Sequence, residues 1–256
     1  MPTQEGRPEM SALTTLTRTQ AKVFLREPMA VFFGLVFPAL LLVVIGTVFP
    51  GATETSPDLG GRRLVDIYAP VSIALGLATV AISILPATLG GDRERGILRR
   101  LSTTPVHPRA LVTAHLAVQF IVVACATVAA VLIGMGLFDI PFPESPGWFA
   151  VSFVLGAVSL LSIGLLIGAL VPTASSGQGI GMIFYFPLLF FAGVYIPLEV
   201  MPEGVGSVSR LTPSGAAVQA LSSSWAGATP TTSSLLVMAG YAVVAGSLAT
   251  WLFRWD

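Results

Sequence analysis

Six stretches of this chain run apolar without a single Asp, Glu, Lys or Arg: Ala30–Phe49, Ile67–Leu89, Ala110–Phe138, Trp148–Val171, Gly177–Pro197 and Leu235–Phe253. A helix needs about 20 predominantly apolar residues to cross the hydrocarbon core of a bilayer. The pattern therefore predicts six membrane-spanning helices, the fifth interrupted by Pro187 and Gly193. The first run begins too far along the chain and is too long for the apolar part of a cleavable signal peptide, so it is expected to remain as the first span.

Two segments outside the spans carry a shorter pattern. Ser11–Glu27 reads SALTTLTRTQAKVFLRE and stops at Pro28. At about 100° per residue, Leu13, Leu16, Val23 and Phe24 share one side, while Arg18, Lys22 and Arg26 line the other and Leu25 is out of place. Such a helix is expected to lie at the membrane interface, with its basic face toward lipid phosphates. Pro28 then turns the chain into the first span. Within Leu198–Ser233, Val205–Leu211 and Ala216–Trp225 are apolar pieces too short to span and are separated by Pro213. They read as short helices at the outer face, with Trp225 suited to an interface.

Composition agrees with the pattern. The chain is 54% hydrophobic and 10% charged, against about 25% charged for a soluble domain. The charges also orient it, because arginine and lysine collect on the cytoplasmic side. With both termini inside, Arg7, Arg18, Lys22, Arg26, Arg93, Arg95, Arg99, Arg100, Arg109 and Arg254 face the cytoplasm, and only Arg62, Arg63 and Arg210 lie outside. The predicted location is a bacterial plasma membrane, multi-pass, with both termini cytoplasmic.

Several chemistries lack their residues. The chain has one cysteine, Cys125, and two histidines, too few for a metal site. His115, with Gln119 one turn on, is the only titratable side chain within the predicted spans that suits proton transfer, and it reads as an interfacial hydrogen-bonding residue. A serine nucleophile would need a base at depth, and none is there. The only lysine, Lys22, follows Ala21, so no Gly-Lys-Ser/Thr phosphate loop exists. No catalytic residue, cofactor or nucleic-acid partner is expected, and energy for uphill movement must come from another subunit.

Gly91–Arg109, GDRERGILRRLSTTPVHPR, holds seven of the chain's 26 formal charges between two uncharged spans. Asp92–Leu101 reads as a short helix ended by Thr103-Thr104-Pro105. Ile97, Leu98 and Leu101 share a face, and Arg95, Arg99 and Arg100 form a basic rim. From the residues alone, this is either a docking element for a soluble partner or a solvated topology anchor.

The stretch resembles the cytoplasmic signature of the ABC-2 family of transporter permeases through Glu94, Gly96, Leu98, Leu101, Thr104 and Pro105. It departs from that signature at Ile97 and Arg99, where the family often has Thr and Glu. FFAGVYIPLEVMP, Phe190–Pro202, resembles the family's segment closing the fifth span, and LTPSGAAVQAL, Leu211–Leu221, is a weaker third match. The likeness looks closest to the drug-resistance branch typified by the daunorubicin-resistance permease. It implies an all-α integral membrane protein with six spans, an N-terminal connecting helix (residues 1–29 with Arg18, Lys22 and Arg26) and a permease domain over residues 30–256. Within that domain it implies a coupling helix over 91–105 and outer re-entrant helices over 198–233. Arg93, Glu94, Arg95, Gly96, Leu98, Arg99, Arg100, Leu101 and Pro105 would contact an ABC ATPase subunit. Two copies of that subunit would bind Mg-ATP, beneath two copies of the permease as a homodimer.

Pro38, Pro86, Pro187, Gly179 and Gly181 are candidate bends or close contacts for the alternation this implies. Phe184, Tyr185, Phe186, Phe190 and Phe191 are candidates to line a path for a hydrophobic or amphipathic small molecule, with export the expected direction. A transporter or channel needing no ATPase, and a structural membrane protein, remain open alternatives.

Overall fold

A computed structural model describes residues 7–97 and 109–253. Helix α1, Arg7–Arg26, is followed by the first span α2, Pro28–Val48. A two-stranded antiparallel hairpin, β1 Thr55–Ser56 and β2 Arg62–Arg63, leads into the second span α3, Leu64–Glu94. The remaining helices are α4 Arg109–Phe138, α5 Pro146–Leu170, α6 Ala174–Phe191, α7 Glu203–Leu211, α8 Pro213–Trp225 and α9 Thr232–Leu252. Six of these, α2 to α6 and α9, are long and apolar enough to cross a membrane. The fold is all-α, as the apolar pattern predicts.

The six spans are far from equivalent. Some 89% of the apolar window of α3 is buried, against 17% for α6 and for α9. Helix α3 is therefore the axis on which the others pack. Glycine pairs one turn apart make this possible. On α5, a Cβ at Gly164 would lie 1.8 Å from the Ala81 carbonyl oxygen, and one at Gly168 would lie 2.5 Å from Leu89. On α6, a Cβ at Gly177 would meet the Pro86 carbonyl oxygen at 2.5 Å, and one at Gly181 the Ile82 oxygen at 2.4 Å. Small residues at this spacing let helix backbones touch where lipid offers no hydrophobic incentive to associate. Of the candidate glycines, Gly181 makes such a contact, whereas Gly179 faces open space.

Two of the candidate prolines act as bends. The π-helical turns Phe32–Val36 and Thr79–Ile84 come just before Pro38 and Pro86. Proline lacks an N–H and crowds the preceding turn, which widens locally. Pro38 seats on α3 at Gly76, where an added Cβ would lie 2.9 Å away. Pro187 lies inside α6.

At the outer end Arg63 ties α3 to α4. It makes a two-pronged pair with Asp66 at 2.7 and 2.9 Å and donates to the carbonyls of Phe138 and Asp139. The hydrogen bond to Asp66 holds the Arg63 guanidinium above its usual range. Helices α7 and α8 form the expected short pair between the fifth and sixth spans, with Thr212 capping α8 at Gly215 N–H and Pro213 in its first turn. The Trp225 indole donates to the Pro141 carbonyl at 2.8 Å, which fixes α8 beneath the α4–α5 connection.

Three expectations need correction. The second span does not stop at Leu89 but continues to Glu94, so Asp92, Arg93 and Glu94 are its last turn. A continuous helix over Asp92–Leu101 is not formed, because the chain leaves the helix at Arg95 and Gly96 adopts φ +66°. That left-handed conformation suits glycine and ends helices. The fifth span ends at Phe191 rather than Pro197, with Gly193 at φ +81°.

Overpacking a tight core contact costs about 1–3 kcal/mol and occasionally more. Gly164→Leu should therefore lower the melting temperature of the detergent-solubilised protein markedly, and Gly179→Leu should leave it nearly unchanged. Equal melting temperatures for the two variants would contradict the α3–α5 contact.

Candidate coupling site

Consecutive residues on a helix point about 100° apart, so three charged side chains in one turn reach three different neighbours. The last turn of α3 uses this geometry. Asp92 turns toward α4, where its Oδ2 lies 2.7 Å from His115 Nε2. Arg93 turns toward the end of α5 and donates to the carbonyls of Gly168, at 3.2 Å, and Val171. Its guanidinium also lies 5.5 Å from the centre of the Phe253 ring, just past α9. Glu94 Oε2 accepts from the Ala174 backbone N–H at 3.2 Å, at the start of α6.

These contacts match charge to helix polarity. The last carbonyls of a helix lack intrahelical partners and carry partial negative charge, which suits arginine. The first N–H groups are unpaired and partly positive, which suits a carboxylate. Arg93 and Glu94 therefore hold the two sides of the tight α5–α6 connection. Thr173 completes that connection by capping α6 reciprocally with Ser176. One turn of α3 thereby contacts α4, α5, α6 and the end of α9.

The structure brings Arg93 and Glu94 into this neck. Arg95 is exposed, and Gly96 ends the helix. Leu98, Arg99, Arg100, Leu101 and Pro105 lie outside the described residues. On α1, Arg18, Lys22 and Arg26 are exposed, while Leu16 packs on the core and Phe24 is buried. Val23 is the exception on the apolar side, being 39% exposed.

Beside the neck, a groove of about 550 Å³ opens between α2, α3 and α6. Phe33 and Phe37 form its apolar wall. Thr79, Ser83 and Thr88 of α3 face Gln178 and Tyr185 of α6. Tyr185 is buried, and its hydroxyl lies 2.8 Å from Thr79 Oγ1. Glu27, Asp92 and Arg95 stand at one end, with Val194 and Tyr195 at the other. Burial pushes the Tyr195 hydroxyl pKa up. Of the five aromatic candidates, Tyr185 and Phe186 line the groove. Phe184 is exposed outside it, and Phe190 and Phe191 pack edge to face with centroids 5.4 Å apart.

Sequence reasoning anticipated His115 as a hydrogen-bonding residue but set it at the interface, whereas it is buried, and it did not single out Asp92, its partner. The two are 23 positions apart, a spacing no helical period connects. No local signal carried the span past Leu89, because Gly90 and Gly91 follow it and both are poor helix formers. The glycine pairs Gly164/Gly168 and Gly177/Gly181 were legible as close-packing spacings.

A family profile described as ABC-2 type transporter matches residues 11–225. A protein of Cyanophora paradoxa named as a transport permease, ycf38, is 27% identical over 193 residues, which cover 73% of this chain and 65% of that one. A protein of Escherichia coli K12 named as a multidrug ABC transporter permease, YbhR, is 26% identical over 159 residues, covering 62% and 42%. One of Bacillus subtilis strain 168 named as a transport permease, YvfS, is 23% identical over 251 residues, covering 96% and 98%. The chain spans less than two thirds of the length of the first two of these relatives.

Hydrogen bonds made by charged groups contribute about 1.5–3 kcal/mol. Arg93→Ala should therefore lower thermal stability by about 2 kcal/mol, while Arg95→Ala, at an exposed side chain, should change it by less than about 0.5 kcal/mol. Similar melting temperatures for both would show that Arg93 does not hold the α5 terminus.

Proposed function

Because the chain belongs to the ABC-2 type transporter family, we propose that it is the membrane permease subunit of an ATP-driven exporter, coupled through the Gly91–Pro105 stretch to a separate ATPase. The observation that carries this reading is the neck of α3. The charged stretch leaves a helix that is buried on nearly all sides and fastened by Asp92, Arg93 and Glu94 to four other elements. A push on that stretch reaches the whole bundle rather than one peripheral helix.

In this reading two permease copies, as a homodimer, sit on two ATPase copies that bind Mg-ATP. Leu98 and Leu101 enter an apolar cleft of the ATPase, with Arg95, Arg99 and Arg100 at the rim and Pro105 ending the element. Residues 1–29 form the N-terminal segment whose helix, Ser11–Glu27, lies beside it as the connecting helix, and residues 30–256 form the permease domain. Both termini face the cytoplasm of a bacterial cell. ATP binding draws the ATPase subunits together, the coupling elements move as levers, and the spans tilt between two packings of similar energy.

Cargo moves along the groove between α2, α3 and α6. Its aromatic wall and hydroxyl-bearing wall suit a hydrophobic or amphipathic compound, drug-like or lipid, entering from the membrane. The multidrug designation of the Escherichia coli relative favours drug efflux, as does the resemblance to the drug-resistance branch.

The test replaces Leu98 and Leu101 with Asp in the tagged protein. Wild type extracted gently from its native membrane should bring an ABC-type ATPase in near-equal amount. Reconstituted, that complex should move the amphipathic dye Hoechst 33342 only when ATP is supplied. The double variant should insert normally, lose the ATPase and lose dye movement. Transport that persists without any bound ATPase would make the chain a partner-free transporter and the charged stretch a topology anchor.

A further inference from the structure

The charged stretch leaves the bundle between α3 and α4, and one polar pair stands at its base. Asp92 lies one turn before Gly96, where α3 unwinds, and His115 lies within the first two turns of α4. Asp92 is 6% exposed and His115 2% exposed, with 2.7 Å between carboxylate and imidazole. One turn further along α4, Gln119 is also buried, and its Oε1 has no hydrogen-bond partner among the described residues.

Stability alone is a poor reason for this arrangement. Well-packed apolar side chains in place of a buried ion pair are often as stable or more so, because two polar groups need not be taken out of water. What a buried pair supplies is register, since its hydrogen bond is satisfied at one relative position of the two helices. The other ties at the neck do not duplicate it. Arg93 and Glu94 hold the ends of α5 and α6, and Arg63 holds α4 only at its outer end. At the inner end, where the charged stretch pulls, Asp92–His115 is the described polar tie between α3 and α4.

We infer that Asp92 and His115 are positioning residues that lock α4 to the central helix, so that movement of the charged stretch carries α4 along with α3. Helix α1 packs against α4 and travels with it. With the pair intact, the push divides between two rigid groups that both follow α3: α5 with α6, and α4 with α1. Without it, α4 is pulled only through its own end of the charged stretch and loses register with α3, and ATP hydrolysis no longer completes the change in the bundle. This inference rests on the ATP-driven coupling proposed above.

The experiment compares amide hydrogen exchange in the permease co-purified with its ATPase, nucleotide-free and trapped with ATP and vanadate. In wild type, residues 89–96 and 109–117 should respond to nucleotide together. The double variant D92L/H115L removes both polar groups and leaves neither unpaired. It should retain the ATPase and the response at 89–96 but lose the response at 109–117. Hoechst 33342 moved per ATP hydrolysed should fall about tenfold, within the usual span of coupling effects. Asp92→Asn retains a carboxamide oxygen that accepts from His115 and should keep the nucleotide response at 109–117, which a requirement for the charge alone would not allow. If D92L/H115L keeps the wild-type response at 109–117 and the wild-type dye movement per ATP, the positioning role is wrong while the exporter reading stands. If residues 89–96 of wild type ignore nucleotide, the coupling reading itself fails.

Discussion

Among helices in a bilayer, lipid tails are as apolar as leucine, so burying an apolar face against protein gains little. What places α3 at the centre is close backbone approach combined with polar ties at both ends. Gly164 and Gly181 bring the backbones of α5 and α6 onto the carbonyls of Ala81 and Ile82, where any side chain would collide. The π turn at Thr79–Ile84 lies in the same region, so the widened part of α3 is where its neighbours come nearest. The remaining helices take their positions from this axis, including α8, which is buried although it is too short to span.

The ends of α3 are fastened by charge. A buried carboxylate is costly unless paired, and an imidazole against it is one of the few partners an apolar bundle offers. Arg93 and Glu94 use cheaper partners, the unsatisfied backbone groups that every helix terminus presents. At the outer end Arg63 works in the same way on the carbonyls that close α4, while its pairing with Asp66 keeps it in place. Both ends of the central helix are thus tied to their neighbours by polar contacts.

The groove lies beside the contact of α6 with α3. Helix α6 meets α3 through glycines on one side and leaves Ile183, Phe184 and Phe186 exposed on others. The Thr79–Tyr185 hydrogen bond crosses between the two helices within the groove itself. That contact places two hydroxyl groups beside the aromatic wall of the groove.

The sequence alone determined the fold class, the number of spans and the short helix pair before the last span, because hydrophobic length and turn residues act locally and need no knowledge of neighbours. Charge asymmetry and the Glu94–Gly96 spacing pointed to the inner loop as the functional end. Tertiary structure decided which span is central, that Asp92 belongs to the last turn of the second span and not to a separate short helix, and that it meets His115. Those facts depend on helix-to-helix distances. Hydropathy cannot supply them, since in lipid an apolar residue facing a neighbour and one facing the bilayer look the same. Where the helix stopped was also a tertiary matter. Polar residues normally end a span at the first charge, but here His115, the α5 carbonyls and the Ala174 N–H accept Asp92, Arg93 and Glu94 in turn, so α3 keeps its helical form until Gly96 supplies the break.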